Sequence, residues 1–114
     1  MRNLGKFRTR QGFAAVGILL AASFNFSFAG DVAAGKSRAG MCATCHGPLG
    51  ISQLPNAPHL AGQPEIYTIE QLKNYRNGKR ANEVMAVIAK SLSDKDIEDL
   101  AAWYGSIEFT VKEK

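Results

Sequence analysis

At 114 residues the chain is long enough for one domain and too short for two of ordinary size. Its formal charge of +4 belongs to one end: four of the fourteen basic residues are Arg2, Lys6, Arg8 and Arg10, and from Gly30 onward ten basic residues meet ten acidic ones. A balanced remainder gives no basis for a nucleic-acid partner, and two cysteines cannot make a disulfide framework.

Residues 1–29 have the layout of a secretory signal peptide. The basic end carries no acid. An apolar run from Phe13 to Phe28 follows, interrupted only by Gly17, Ser23, Asn25 and Ser27, and it closes on Ser27-Phe28-Ala29 just before Gly30-Asp31. A retained membrane anchor is the competing interpretation, but the run is shorter than the roughly 20 apolar residues a span needs. Thr9 separates Arg8 from Arg10, so there is no twin-arginine pair, and export in the unfolded state is expected. The expected organisation is therefore a signal peptide, 1–29, cleaved after Ala29, and one periplasmic domain, 30–114, without a membrane span of its own.

Within 30–114 strand signals are nearly absent and helix signals occur in four places. The first helix is expected from the N-cap candidate Asp31 to about Ala43, with Gly35, Ala39 and Cys42 on one face. The second starts at Pro64, a residue suited to a first helical position, and ends before Gly78, with Ile66, Ile69, Leu72 and Tyr75 as its apolar stripe. A short third helix covers Val84 to Lys90. The fourth opens at Ser93, with Asp96 three residues on in a capping-box-like start, and buries Ile97, Leu100, Ala101, Tyr104 and Ile107. Between the first two helices, Gly47 to Gln63 carries Pro48, Pro55 and Pro58 and no periodicity. Irregular loops of this length are uncommon in compact domains unless they have a task, and wrapping a prosthetic group is one. A domain this small buries little apolar surface and usually needs a staple.

The staple is legible in Cys42-Ala43-Thr44-Cys45-His46, the C-x-x-C-H pattern of covalent haem attachment. Cysteines at i and i+3 lie on one side of a helical turn, where both sulfurs can add to vinyl groups on one porphyrin edge. The next residue, His46, can then offer a nitrogen to the iron. A Cys42–Cys45 disulfide would close a very short loop and stabilise little. A thioredoxin-like dithiol expects a βαβ context, and a zinc site built from Cys42, Cys45, His46 and His59 lacks a second closely spaced ligand pair. For the sixth iron position the candidates are Met41, His59 and Met85. Met41 is too close to Cys42 to reach across a ring. Met85, beyond the second helix, can return on the far face, although Val84-Met85-Ala86-Val87-Ile88 reads equally well as core.

Taken together, Ala34-Gly35-Lys36, the attachment motif with Gly47, Ala57-Pro58-His59-Leu60-Ala61-Gly62-Gln63, Gln71-Leu72, Gly78-Lys79-Arg80, Met85, Leu92-Ser93-Asp94 and Trp103-Tyr104 resemble the class I bacterial cytochromes c. The likeness is greatest to the small modules found singly in monohaem cytochromes and paired in dihaem periplasmic ones. It implies an all-α fold of about four helices around one covalently bound haem c. It implies that His46 and Met85 are the axial iron ligands and that Cys42 and Cys45 carry the thioethers. It further implies that the Pro58 carbonyl accepts the other ring N–H of His46, that Leu60 packs on the haem, and that Arg80 lies near a propionate. Gly35 matches the glycine at which the first and last helices cross, with Trp103 or Tyr104 as its aromatic counterpart. Dihaem relatives carry a second C-x-x-C-H; this chain has one.

The implied function is electron transfer between periplasmic or membrane redox partners, by a monomer or a subunit of a redox complex. Two alternatives stand beside it: a haem c subunit of a larger periplasmic oxidoreductase, and a gas sensor with a labile sixth position. No acid/base pair, nucleophile or phosphate loop is present, so no catalysis by this chain alone is expected.

Overall fold

The computed structural model describes residues 30–113, so the signal peptide expected over 1–29 lies outside the described residues. All regular structure among the described residues is helical: α1 (Val32–Arg38), α2 (Gly40–His46), α3 (Glu65–Asn77), α4 (Glu83–Lys90) and α5 (Asp94–Gly105). Three of the five begin where a short polar side chain meets the first free amides. Asp31 accepts the Ala34 N–H, Asn82 accepts the Met85 N–H, and Ser93 and Asp96 satisfy each other in a complete capping box. α3 starts instead behind Pro64, which is its N-cap rather than its first helical residue, and ends at Gly78 in the left-handed conformation.

The first expected helix is two. Ala39 closes α1 and opens α2 without a side-chain cap. Its carbonyl accepts the N–H of Ala43 but also that of Cys42, each at 3.0 Å, so the ladder tightens there into a three-residue step. The count is therefore five helices instead of four.

α5 is the spine of the core. Ile97, Leu100, Ala101 and Tyr104 are buried as its stripe requires, and Ile107, just past the helix end, packs against them. α1 and α3 lie against α5, and α4 lies against α3. α1 comes close because Gly35 has no side chain: a methyl group there would sit 1.9 Å from the Asp99 carbonyl oxygen and 2.8 Å from Trp103 Cβ. Trp103 is thus the aromatic counterpart of Gly35, with Lys36 over its ring, while Tyr104 points to the other side of α5. The same crossing buries Asp99, which the apolar stripe does not announce. Its carboxylate accepts the Asp31 N–H at 2.6 Å and pairs with Lys95. The Lys95 ammonium, helped by the Asp31 amide, holds the Asp99 carboxyl below the usual range.

The stripe on α3 needs correction. Ile69 and Leu72 pack against the core, but Ile66 is 79% exposed. Thr68 takes the buried position in the first turns. At 100° per residue Ile66 stands about 160° around the helix from Thr68, so burying one exposes the other.

Candidate cofactor site

On the side of α5 away from Trp103, a cavity of about 500 Å³ opens between α2, the loop 47–63, α3 and α4. Its size is within the range of clefts that hold small molecules and cofactors. α2 brings Cys42, Cys45 and His46, and the loop brings Leu54, Pro58, His59 and Leu60. Tyr67, Thr68, Leu72 and Tyr75 come from α3, Val84, Met85 and Ile88 from α4, and Leu100 and Tyr104 from α5.

His46 closes α2 and is buried, with Nδ1 2.8 Å from the Pro58 carbonyl oxygen. A carbonyl can only accept, so Nδ1 carries the proton and Nε2 of the neutral ring keeps its lone pair. The carbonyl is delivered by a pinch in the loop. Gly50, at φ +71°, offers its oxygen to the N–H groups of both Leu60 (2.7 Å) and Ala61 (3.1 Å). A side chain on Gly50 would meet the Tyr104 ring and the Ala61 nitrogen, each at 2.8 Å. Ser52 adds a second tie. It is buried, and its Oγ stands 3.0 Å from the Cys45 carbonyl and 3.2 Å from that of Leu54 while accepting the Leu54 N–H. Its backbone N–H donates to His59 Nδ1 at 2.9 Å.

The two cysteines form no disulfide. Cys45 is exposed. Cys42 is half-buried beside Tyr104, and burial pushes its thiol up despite the hydroxyl nearby. Burial, with the Cys42 sulfur next in effect, pushes the Tyr104 phenol up as well, and its hydroxyl is buried without a hydrogen-bond partner. Met85 is half-buried in the first turn of α4, its N–H fixed by Asn82 at 2.9 Å. Val84 and Ile88 flank it on the cavity wall, whereas Val87 is 70% exposed and does not line the cavity. Arg80 is exposed, and its guanidinium stacks on Tyr75 at 4.7 Å and donates to Gln71 at 2.8 Å.

Cys42, Cys45, His46, Met85, Pro58 and Leu60 thus line one cavity. Met41 and His59 reach the same wall. Asn82, Ser52 and Asp99 were missed. An N-cap residue ahead of Glu83-Val84-Met85 was a usable signal for Asn82; the burial of Ser52 and Asp99 carries no local signal, because the Cys45 carbonyl that Ser52 reaches and the Asp31 amide that Asp99 accepts belong to other segments.

The residues fit a covalently attached haem. Large apolar side chains at the cavity are left part-exposed, Leu54 at 44% and Val84 at 64%, as expected of a wall built to be covered. One imidazole nitrogen and one thioether are the donors of a six-coordinate haem iron, and thiols three residues apart are the attachment points. Among the described residues no group of three or more His, Cys, Asp or Glu side chains is placed to hold a bare metal ion, and no helix is long and apolar enough to cross a membrane.

Comparison with known proteins agrees with this geometry. The family described as Cytochrome c matches residues 32–107. Cytochrome c4 of Pseudomonas aeruginosa is 43% identical over 83 residues, which are 73% of this chain and 41% of that protein. Cytochrome c-554(548) of Halomonas halodenitrificans is 43% identical over 83 residues, 70% of this chain and 100% of that one. The crystal structure of reduced recombinant cytochrome c4 from Pseudomonas stutzeri superposes with a TM-score of 0.68 at 38% identity, covering 73% of this chain and 48% of its own. The chain therefore spans less than half of these cytochrome c4 relatives.

Proposed function

This chain belongs to the cytochrome c family, and from that premise we propose that it is a periplasmic one-electron carrier with a single covalently bound haem c and His46 and Met85 as the iron's axial ligands. The observation that carries the proposal is the meeting of Cys42, Cys45, His46 and Met85 on one cavity, with His46 Nδ1 already engaged by the Pro58 carbonyl.

When bound, the haem supplies an iron that alternates between ferrous and ferric states. The chain's own residues do the rest. Cys42 and Cys45 hold the porphyrin edge through thioethers. The Pro58 carbonyl fixes the tautomer and direction of His46 and raises its basicity. Met85 offers a soft, neutral sulfur, which favours the ferrous state and raises the potential, and the Asn82 cap holds its backbone in place. Leu60, Leu72, Ile88 and Leu100 exclude water. Because both ligands come from capped or pinned segments, little needs to rearrange when the charge changes, which suits transfer between redox partner proteins. On this proposal residues 1–29 direct export and are removed, and the chain makes or breaks no bond of a substrate.

Intact-mass measurement on the exported protein is the test. The expected mass is that of Gly30 or Asp31 to Lys114 plus one haem. A haem-free mass, or one retaining Met1 to Arg10, overturns attachment or cleavage respectively.

A further inference from the structure

The loop 47–63 holds one ionisable side chain, His59. Its Nδ1 accepts the backbone N–H of Ser52 at 2.9 Å, so in this structure Nδ1 is unprotonated and the neutral ring carries its proton on Nε2. Both partners of that bond are tied to the His46 side of the site. Ser52 is buried and tied to the Cys45 carbonyl, next to His46; His59 follows Pro58, whose carbonyl holds His46 Nδ1. The bond is thus the cross-strut between the two points at which the loop grips the end of α2.

We propose that His59 is a positioning residue that makes the loop's grip on His46 depend on pH: neutral, it accepts the Ser52 N–H and steadies the Pro58 carbonyl; protonated, it turns an acceptor into a donor and lets go. Two N–H groups then face each other, and the buried Ser52 amide loses its partner, a state the chain escapes by moving the loop. His59 is exposed and stands on the wall of the cavity. The ionisable groups facing this space are Cys42, Cys45 and His46 from α2, Tyr67 and Tyr75 from α3, Tyr104 from α5, and the permanently charged Arg80; no carboxylate of the described residues lines it. Imidazole is the side chain whose charge ordinarily changes between about pH 5 and 8. Protonation adds positive charge beside the site and weakens the acceptor behind His46. Both effects disfavour ferric iron, so the potential rises on acidification.

The inference rests on His46 as an iron ligand, and its test separates the two. The holoprotein, His59→Asn and His59→Ala are compared between about pH 8 and about pH 5 by redox titration and by hydrogen-exchange protection of the Ser52 amide. Asparagine presents an acceptor at the same branch of the side chain but does not titrate. Expected for the native protein are a potential that rises and a Ser52 protection that falls on acidification. His59→Asn keeps the protection at both pH values and loses most of the slope; His59→Ala loses protection throughout. A native slope retained in His59→Asn, or Ser52 protection in the native protein that is equal at both pH values, overturns the proposal. Ser52 protection is read without reference to the iron, so a wrong haem assignment would show separately, as a missing haem absorption.

Discussion

α5 has two sides, and the chain treats them differently. Toward α1 it completes its own packing: Gly35 lets the helices touch, Trp103 fills the crossing, and the Asp99 carboxylate ties the start of α1 to Lys95. Toward the loop, α3 and α4 it faces a cavity of about 500 Å³, with a buried Tyr104 hydroxyl unpaired and apolar side chains part-exposed. One side is a protein core; the other is half of one, and on the proposed function it is finished by the haem that Cys42 and Cys45 attach. Every large apolar contact α4 could make inward faces that cavity, so the α3–α4 half of the fold depends on the filler in a way the α1–α5 half does not.

The strongest way to break this contrast is to withhold the filler. Cys42→Ala with Cys45→Ala is expected to abolish the haem-stained band on a denaturing gel and to replace cooperative unfolding by a weakly helical, broadly melting chain in circular dichroism. A cooperative, fully helical double variant would show that both sides stand alone.

The self-sufficient side is attacked at Gly35. Gly35→Ala drives a methyl group into the Asp99 carbonyl, and backbone cannot step aside as a flexible side chain can. The expected loss is about 3 kcal/mol, the upper end for overpacking, read from the denaturant midpoint of the holoprotein. The absorption spectrum of the bound haem should change little, because the strain falls on the far side of α5.

Acid acts on the same side more gently. Lys95 and the Asp31 amide depress the Asp99 carboxyl. A depressed folded value means stabilisation that is present above the usual aspartate range of about 4 and is lost as pH falls through the folded value. Asp99→Asn is expected to cost on the order of 1 kcal/mol at neutral pH and to flatten the loss of stability below about pH 4, measured by denaturation at several pH values. The smallest effects belong to the side chains that neither half uses. Ile66→Ser and Val87→Ser, at 79% and 70% exposed, should stay within about 0.5 kcal/mol of the native protein.

The difference between the two sides also explains which features could be read from the sequence. The Cys42–His46 motif, the Ser93–Asp96 capping box and the α5 stripe depend on residues within one or two turns of each other, and each appears where its spacing puts it. The break at Ala39, the exposure of Ile66 and the burial of Asp99 depend on how helices meet, which no window of the chain contains. Val87 illustrates the limit well: in sequence it is indistinguishable from Val84, and only the rotation of α4 against α3 decides that one faces the cavity and the other does not. The Ser52–His59 bond escapes notice for the same reason, since it links two positions of an irregular loop that have no periodicity to betray them.

The most direct test of a haem held between His46 and Met85 is the far-red sulfur-to-iron absorption of the ferric holoprotein, measured at one fixed pH in Met85→Ala and His59→Ala side by side. The expected result is loss of the band and a lowered potential in Met85→Ala only, with the band intact in His59→Ala. A band and potential that survive Met85→Ala but change in His59→Ala would assign the sixth position to the loop and contradict the proposed ligand pair.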